Sequence, residues 1–153
     1  MQITNEGVIF ISQFEGFRSK PYADVAGIPT IGYGCTHYLN GAYVKLTDNP
    51  IDKETGLAML KEHISKNVEP YLNKTFNNLK QNNYDSLCSF CYNCGTGAFD
   101  KSSLKKAIIN NAGADEIKKC FLMWSKAGGV EVAGLLSRRN KEADLYNGTI
   151  NIY

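Results

Sequence analysis

Glu15-Gly16-Phe17-Arg18-Ser19-Lys20-Pro21-Tyr22-Ala23-Asp24, and a little further on Gly27-Ile28-Pro29-Thr30-Ile31-Gly32-Tyr33-Gly34, mark a change of texture in the chain. Before them, Ile3, Phe10, Ile11 and Phe14 recur at a spacing that suits one buried helix face. Thr4 or Asn5 supplies an N-cap with Gly7 close behind, and Gly16 supplies a stop. Glu15 therefore ends the first helix. From residue 21 to residue 41 the chain is rich in Gly, Thr, Tyr and Ile. Turn formers stand at Ala26-Gly27 and Asn40-Gly41, which predicts a small antiparallel sheet of short strands. A helix that feeds a small sheet sets the fold class as α+β.

The rest of the chain extends that reading. A second helix starts at Asp52 or Thr55, with Leu57, Leu60, Ile64 and Val68 on one face. Pro70 is expected to kink or end it, with residues 71–76 continuing as helix or turn. Further helices are predicted over residues 84–92, from Ser102 or Ser103 to Ile109, over 114–126 and over 135–146, the last stopped by Gly148. Breaks are expected at 94–97, at 110–113 and at Gly128-Gly129. No repeat or low-complexity linker interrupts the pattern. The expected organisation is one domain over residues 1–153: a sheet-bearing lobe at about 15–50, a connecting helix region at 52–76, and a helical lobe at 77–153 packed with the N-terminal helix. Only the tail at 151–153 is expected to fray.

Composition excludes several functional classes. Hydrophobic content of 43% and charged content of 21% are ordinary for a globular chain, and the net charge is only +2. No dense basic stripe argues for nucleic acid. No apolar window approaches bilayer length, and the start lacks both a basic region and a long apolar run, so neither an export signal nor stable membrane association is expected. The five cysteines, Cys35, Cys88, Cys91, Cys94 and Cys120, are an odd number. They read as reduced core thiols rather than a disulfide framework. Cys88, Cys91 and Cys94 would fan across a helix, with His37 and His63 far off in sequence, so no metal and no cofactor are expected. The glycosylation-like triplets at Asn73 and Asn147 are read as chance.

Glycoside hydrolysis commonly uses two carboxyl groups, one donating a proton to the leaving oxygen and one acting on the far side of the sugar. The negative end of a helix disfavours a carboxylate at Glu15, and Phe14 and Phe17 add desolvation in the same direction. Asp24 and Thr30 stand close behind. A Glu and an Asp nine positions apart occur by chance in most sequences, so Asp24 is also readable as only a turn residue and Thr30 as only a strand residue.

The spacing Glu15, Asp24, Thr30, with Gly32-Tyr33-Gly34 after the Thr, resembles the catalytic signature of the phage-type lysozyme family, glycoside hydrolase family 24. Ser89-Phe90 through Asn93-Cys94-Gly95-Thr96-Gly97-Ala98-Phe99 is similar to the family's Ser-Phe…Asn-x-Gly-x-Gly-x-Phe segment. Trp124, then Gly134-Leu135-Leu136-Ser137-Arg138-Arg139-Asn140-Lys141-Glu142, resembles its tryptophan and Gly-Leu-x-x-Arg-Arg-x-x-Glu block. Cys35 stands where relatives often carry His. The resemblance implies a lysozyme-like fold and cleavage of the β-1,4 bond between N-acetylmuramic acid and N-acetylglucosamine in peptidoglycan, with inversion. It implies Glu15 as general acid, with Asp24 and Thr30 positioning water.

Arg138 and Arg139 are candidates to pair with Glu15, or else surface arginines beside Glu142. Such pairing would oppose the effect of the helix end. Tyr92 and Asn93 suit acetamido sugars, Tyr33 and Ser103 are further candidates for substrate binding, and Trp124 reads as core. The expected biology is a monomeric endolysin made in a host bacterium's cytoplasm and reaching the wall through a separate membrane-permeabilising protein (holin). Two rival readings fit the same residues. One is the same fold acting on chitin. The other is a non-catalytic wall-binding or virion module.

Overall fold

A computed structural model describes all residues, 1–153. Thr4 sits in extended conformation and its Oγ1 accepts from Gly7 N at 2.9 Å, starting α1 (Asn5–Glu15). Gly16 takes φ 67°, a left-handed value that only glycine adopts cheaply, and the helix stops with Glu15 as its last residue. β1 (Arg18–Ala23) and β2 (Pro29–Gly32) then form an antiparallel hairpin with Tyr22 opposite Thr30 and Ala23 opposite Pro29. An irregularity in register between Arg18 and Tyr22 bends β1.

The sheet is thinner than expected over 21–41. Beyond β2 only isolated bridges occur, Ile31 with Cys35 and His37 with Tyr43. Side chains close this loop where strands do not. Asp48 Oδ2 accepts from the Tyr38 hydroxyl at 2.9 Å and from Lys45 N at 2.8 Å.

Asp52 caps α2 (Lys53–Asn67), its Oδ1 accepting from Thr55 N at 2.7 Å. α3 (Glu69–Thr75) follows after Val68 alone, with Pro70 in its first turn, where no N–H is required. α4 (Gln81–Cys94) and α5 (Thr96–Asp100) come next. The break expected at 94–97 is therefore Gly95 alone. Gly95 N still donates to Cys91 O at 2.8 Å and its carbonyl accepts from Phe99 N at 3.1 Å, so Thr96 and Gly97 are helical.

Ser102 caps α6 (Ser103–Ile109) through Lys105 N at 3.1 Å. α7 (Ala114–Leu122) ends four residues short of the expected Lys126. A small hairpin takes its place, β3 (Lys126–Ala127) and β4 (Val130–Glu131), turning on Gly128-Gly129. α8 (Ala133–Asn147) begins two residues earlier than predicted. The tail expected to fray is docked instead. The Tyr153 hydroxyl donates to Asp85 Oδ2 at 3.0 Å, and Ile152 lies against the core.

α4 is the centre of the packing. Tyr84, Leu87, Cys88, Phe90 and Cys91 are buried against α1, α5 and α8. Phe90 meets Phe99, Phe121 and Trp124 edge-on at 5.9, 5.7 and 5.6 Å between ring centres. Each such pair contributes about 0.5–1.5 kcal/mol beyond its buried area. A separate small cluster of Ile31, Cys35, Val44 and Met59 lies between the hairpin and α2. The start of α1 is pinned by two buried acids. Glu69 accepts from Ile3 N at 2.6 Å, while Asp85 accepts from Thr4 N at 3.3 Å, the Thr4 hydroxyl and Gln81.

Candidate active site

The last turn of α1 delivers Glu15 into a crevice of about 510 Å3 that also takes in Gln13, Asn93, Leu135 and Arg138. Its side chain is 21% exposed. Arg138 Nη1 donates to Glu15 Oε1 at 2.5 Å, while Oε2 has no hydrogen bond from the protein. Of the two candidate arginines, then, Arg138 carries the contact. Both are buried rather than superficial.

Arg138 is itself held on every edge. Nε donates to Glu142 Oε1 at 3.0 Å, Nη2 to Ser89 O and Oγ at 3.2 and 3.3 Å, and the guanidinium lies 5.0 Å from the Phe14 ring centre. Arg139 serves the other side of the same carboxylate. Its Nη2 donates to Asn93 Oδ1 at 2.7 Å and Glu142 Oε1 at 3.3 Å, and its Nη1 to Cys94 Sγ at 2.9 Å. Arg139 Nε is 3.0 Å from Glu142 Oε2, a charge contact without hydrogen-bond alignment. Burial pushes the Glu142 carboxyl above its usual range, while Arg139, Arg138 and the Ser89 hydroxyl pull it down.

Asp24 occupies the turn of the first hairpin. Its Oδ1 accepts from Ala26 N at 2.8 Å and Ile28 N at 2.9 Å, and Oδ2 has no protein partner. One oxygen thus builds the turn and the other is free of it. Thr30 is buried beside it on β2, and its hydroxyl donates to Ile28 O at 2.9 Å. With the proton committed there, the Thr30 oxygen still has lone pairs to offer.

The remaining sequence candidates fall in different places. Tyr33 is 6% exposed and packs on Phe17, with ring centres 5.2 Å apart. Its carbonyl accepts from the Tyr92 hydroxyl at 2.9 Å, so Tyr92 ties α4 to the segment that follows β2. Asn93 is exposed but its amide oxygen belongs to Arg139. Ser103 lies on α6, which packs on α7 and α5, and its hydroxyl approaches Met123 Sδ at 3.4 Å. It is not part of the cluster around Glu15. Trp124 is half-buried against Phe90.

All five thiols are free, and Cys94 is the half-buried one. Cys35 is buried with Ile31, Val44 and Met59. Burial, with the charge of Glu15 added, pushes its thiol up to about 11. Burial also raises the Tyr92 hydroxyl, reinforced by Cys35 and Glu15. Sequence reasoning did not assign Ser89 and Glu142 to the site. The signal for Glu142 was its helical spacing from both arginines. Ser89 stood at the head of the family-like Ser-Phe segment, but nothing in that segment gave it a role.

Fold and site together define a lysozyme-type glycoside hydrolase, with a carboxylate at a helix end beside a small hairpin that bears a second one. The chain belongs to the phage lysozyme family, which matches residues 12–142. It is 36% identical over 155 residues to the endolysin of Acyrthosiphon pisum secondary endosymbiont phage 1, covering 95% of this chain and 98% of that one. It is 37% identical over 149 residues to the endolysin of Salmonella phage P22, with the same coverage. Among solved structures, the endolysin from Escherichia coli O157:H7 phage FAHEc1 superposes with a TM-score of 0.85 at 32% identity, covering 98% of this chain and 96% of that one.

Proposed function

We propose that the protein hydrolyses the β-1,4 bond between N-acetylmuramic acid and N-acetylglucosamine in bacterial peptidoglycan, with Glu15 as the general acid. The observation that carries this reading is the clamp of Arg138 on one oxygen of Glu15, which leaves the other without a protein partner. A proton on Oε2 passes to the glycosidic oxygen as the bond breaks. Asp24 Oδ2 accepts a hydrogen from water, and the Thr30 oxygen accepts the second, which aims the water's lone pair at the anomeric carbon. Attack from the face opposite Glu15 inverts the anomer.

The glycan runs through a groove between the sheet-bearing lobe (residues 15–50) and the helical lobe (77–153), joined by the helices at 52–76. The protein acts as a monomer without metal or cofactor. Tyr92, Asn93 and Arg139 line or stiffen the wall of that groove, and Tyr33 supports it from beneath. Ser103 is the outlying member of the set. The family's endolysins support a role in host lysis, in which a holin gives the enzyme passage from the host cytoplasm to the wall.

The test is loss of turbidity of purified peptidoglycan with wild type and Glu15→Gln, with the anomer of the first product read by NMR. Clearing by wild type and none by Glu15→Gln is expected, with an inverted first product. Chitin cleavage without peptidoglycan clearing, or binding without any cleavage, would replace this reading. A retained anomer would overturn the assignment of Asp24 and Thr30 to water.

A further inference from the structure

We infer that Ser89 and Glu142 are positioning residues for Arg138, fixing the plane of its guanidinium so that Nη1 meets Glu15. This rests on the reading of Glu15 as the acid. A guanidinium is a flat fork whose N–H directions are set together. On Arg138, two of the three nitrogens are claimed from inside the protein, Nε by Glu142 Oε1 at 3.0 Å and Nη2 by Ser89 O and Oγ at 3.2 and 3.3 Å. Those two holds fix where the third nitrogen points, and it points at Glu15 Oε1, 2.5 Å away.

Glu142 has no freedom to follow a moving arginine. It is fully buried, and the Ser89 hydroxyl donates to its Oε1 at 2.5 Å. Arg139 holds its other oxygen, and the Ser86 hydroxyl donates to its backbone carbonyl at 2.7 Å. Ser86 and Ser89 lie one turn apart on α4, and Arg138 and Glu142 one turn apart on α8, along the most extensive helix pair in the fold. A surface ion pair samples many rotamers. Here each holding partner is buried, so the geometry is fixed by packing. Ser89 bonds both Glu142 and Arg138 and so sets the two relative to each other.

The experiment pairs Ser89→Ala with Glu142→Gln. Ser89→Ala removes one hydrogen bond from each partner and strands no charge, so it remains informative if Glu142→Gln does not fold. We expect kcat on peptidoglycan to fall about tenfold in Ser89→Ala and further in Glu142→Gln, with KM changed by less than about twofold. In an Arg138→Ala background, Ser89→Ala should lower kcat no further, because the residue it acts through is gone. Folded variants with wild-type kcat overturn the inference. So does a loss on Ser89→Ala that persists in Arg138→Ala.

A readout free of activity is the 15N–1H signal of Arg138 Nε. It should be sharp and shifted in the wild type and broadened in Ser89→Ala. If wild type fails to clear peptidoglycan, the hydrolase reading falls, and this signal decides positioning alone. A signal unmoved by Ser89→Ala would then overturn it.

Discussion

Arg138 and Glu15 lie 123 positions apart in the chain, yet Nη1 of one is 2.5 Å from Oε1 of the other. The contact joins the end of the first helix to the last one, and it leaves only one oxygen of the acid unengaged. Arg138→Ala would leave Glu142 short of one guanidinium and Glu15 without a counterion. Removing one partner of a buried ion pair costs about 3–5 kcal/mol. We expect a lower Tm by scanning calorimetry and strongly reduced clearing of peptidoglycan. Arg138→Lys keeps the charge but cannot span Glu15, Glu142 and Ser89 together, so it should recover part of the stability and little of the rate.

Asp24→Asn separates turn building from chemistry. The amide oxygen still accepts from Ala26 N and Ile28 N, so the hairpin should keep its circular dichroism and melting temperature. Hydrolysis should fall about 100-fold or more for want of the charged oxygen. Asp24→Ala loses the turn bonds too, and should be about 1–2 kcal/mol less stable than Asp24→Asn in urea unfolding.

Gly7→Ala tests the seat of α1 on α4. A β-carbon at Gly7 would lie 2.7 Å from Asp85 Cγ and 2.9 Å from Ile3 Cγ1. Asp85 is buried and fastened by Thr4 and Tyr153, so it has no room to yield. Alanine favours a helix over glycine by about 1 kcal/mol, whereas overpacking costs about 1–3 kcal/mol. The variant should melt lower despite its better helix propensity.

Cys35 gives the chain an alkaline limit. In the unfolded chain the thiol ionises near its ordinary value of 9.0, whereas in the fold it holds its proton up to about 11. The stability is present below pH 9 and is lost as pH rises from 9 to 11, because only the unfolded state releases the proton there. For this group the loss is about 2–3 kcal/mol. Cys91 and Cys88 are raised in the same way and steepen the decline. Urea unfolding across pH 8 to 11 should show a shallower fall for Cys35→Ala than for wild type.

The capped helix ends were legible because their signals are local. Thr4, Asp52, Ser102 and Gly16 each act within a few residues of where they stand. The second hairpin was not legible, since its two-residue strands are too short to show alternation. The docked tail was equally hidden, because Asp85, which receives Tyr153, lies 68 positions away. In the candidate site, the order Glu15, Asp24, Thr30 was visible as spacing. The contact of Ser89 with Glu142 was not, since the two lie 53 positions apart and no periodicity links them. Ser103 stood among the candidates for substrate binding, but α6 carries it into a different packing neighbourhood.

The clamp drawn from α8 also has a timing. During synthesis the hairpin with Asp24 and Thr30 and the whole of α1 leave the ribosome more than a hundred residues before Arg138 does. At about 5–20 residues per second, the nascent chain spends several seconds with the acid emerged and its counterion still unmade. Any fragment that stops short of α8 carries Glu15 without Arg138. Assembly of this site is therefore among the last events of synthesis, and a prematurely ended chain is released without its arginine.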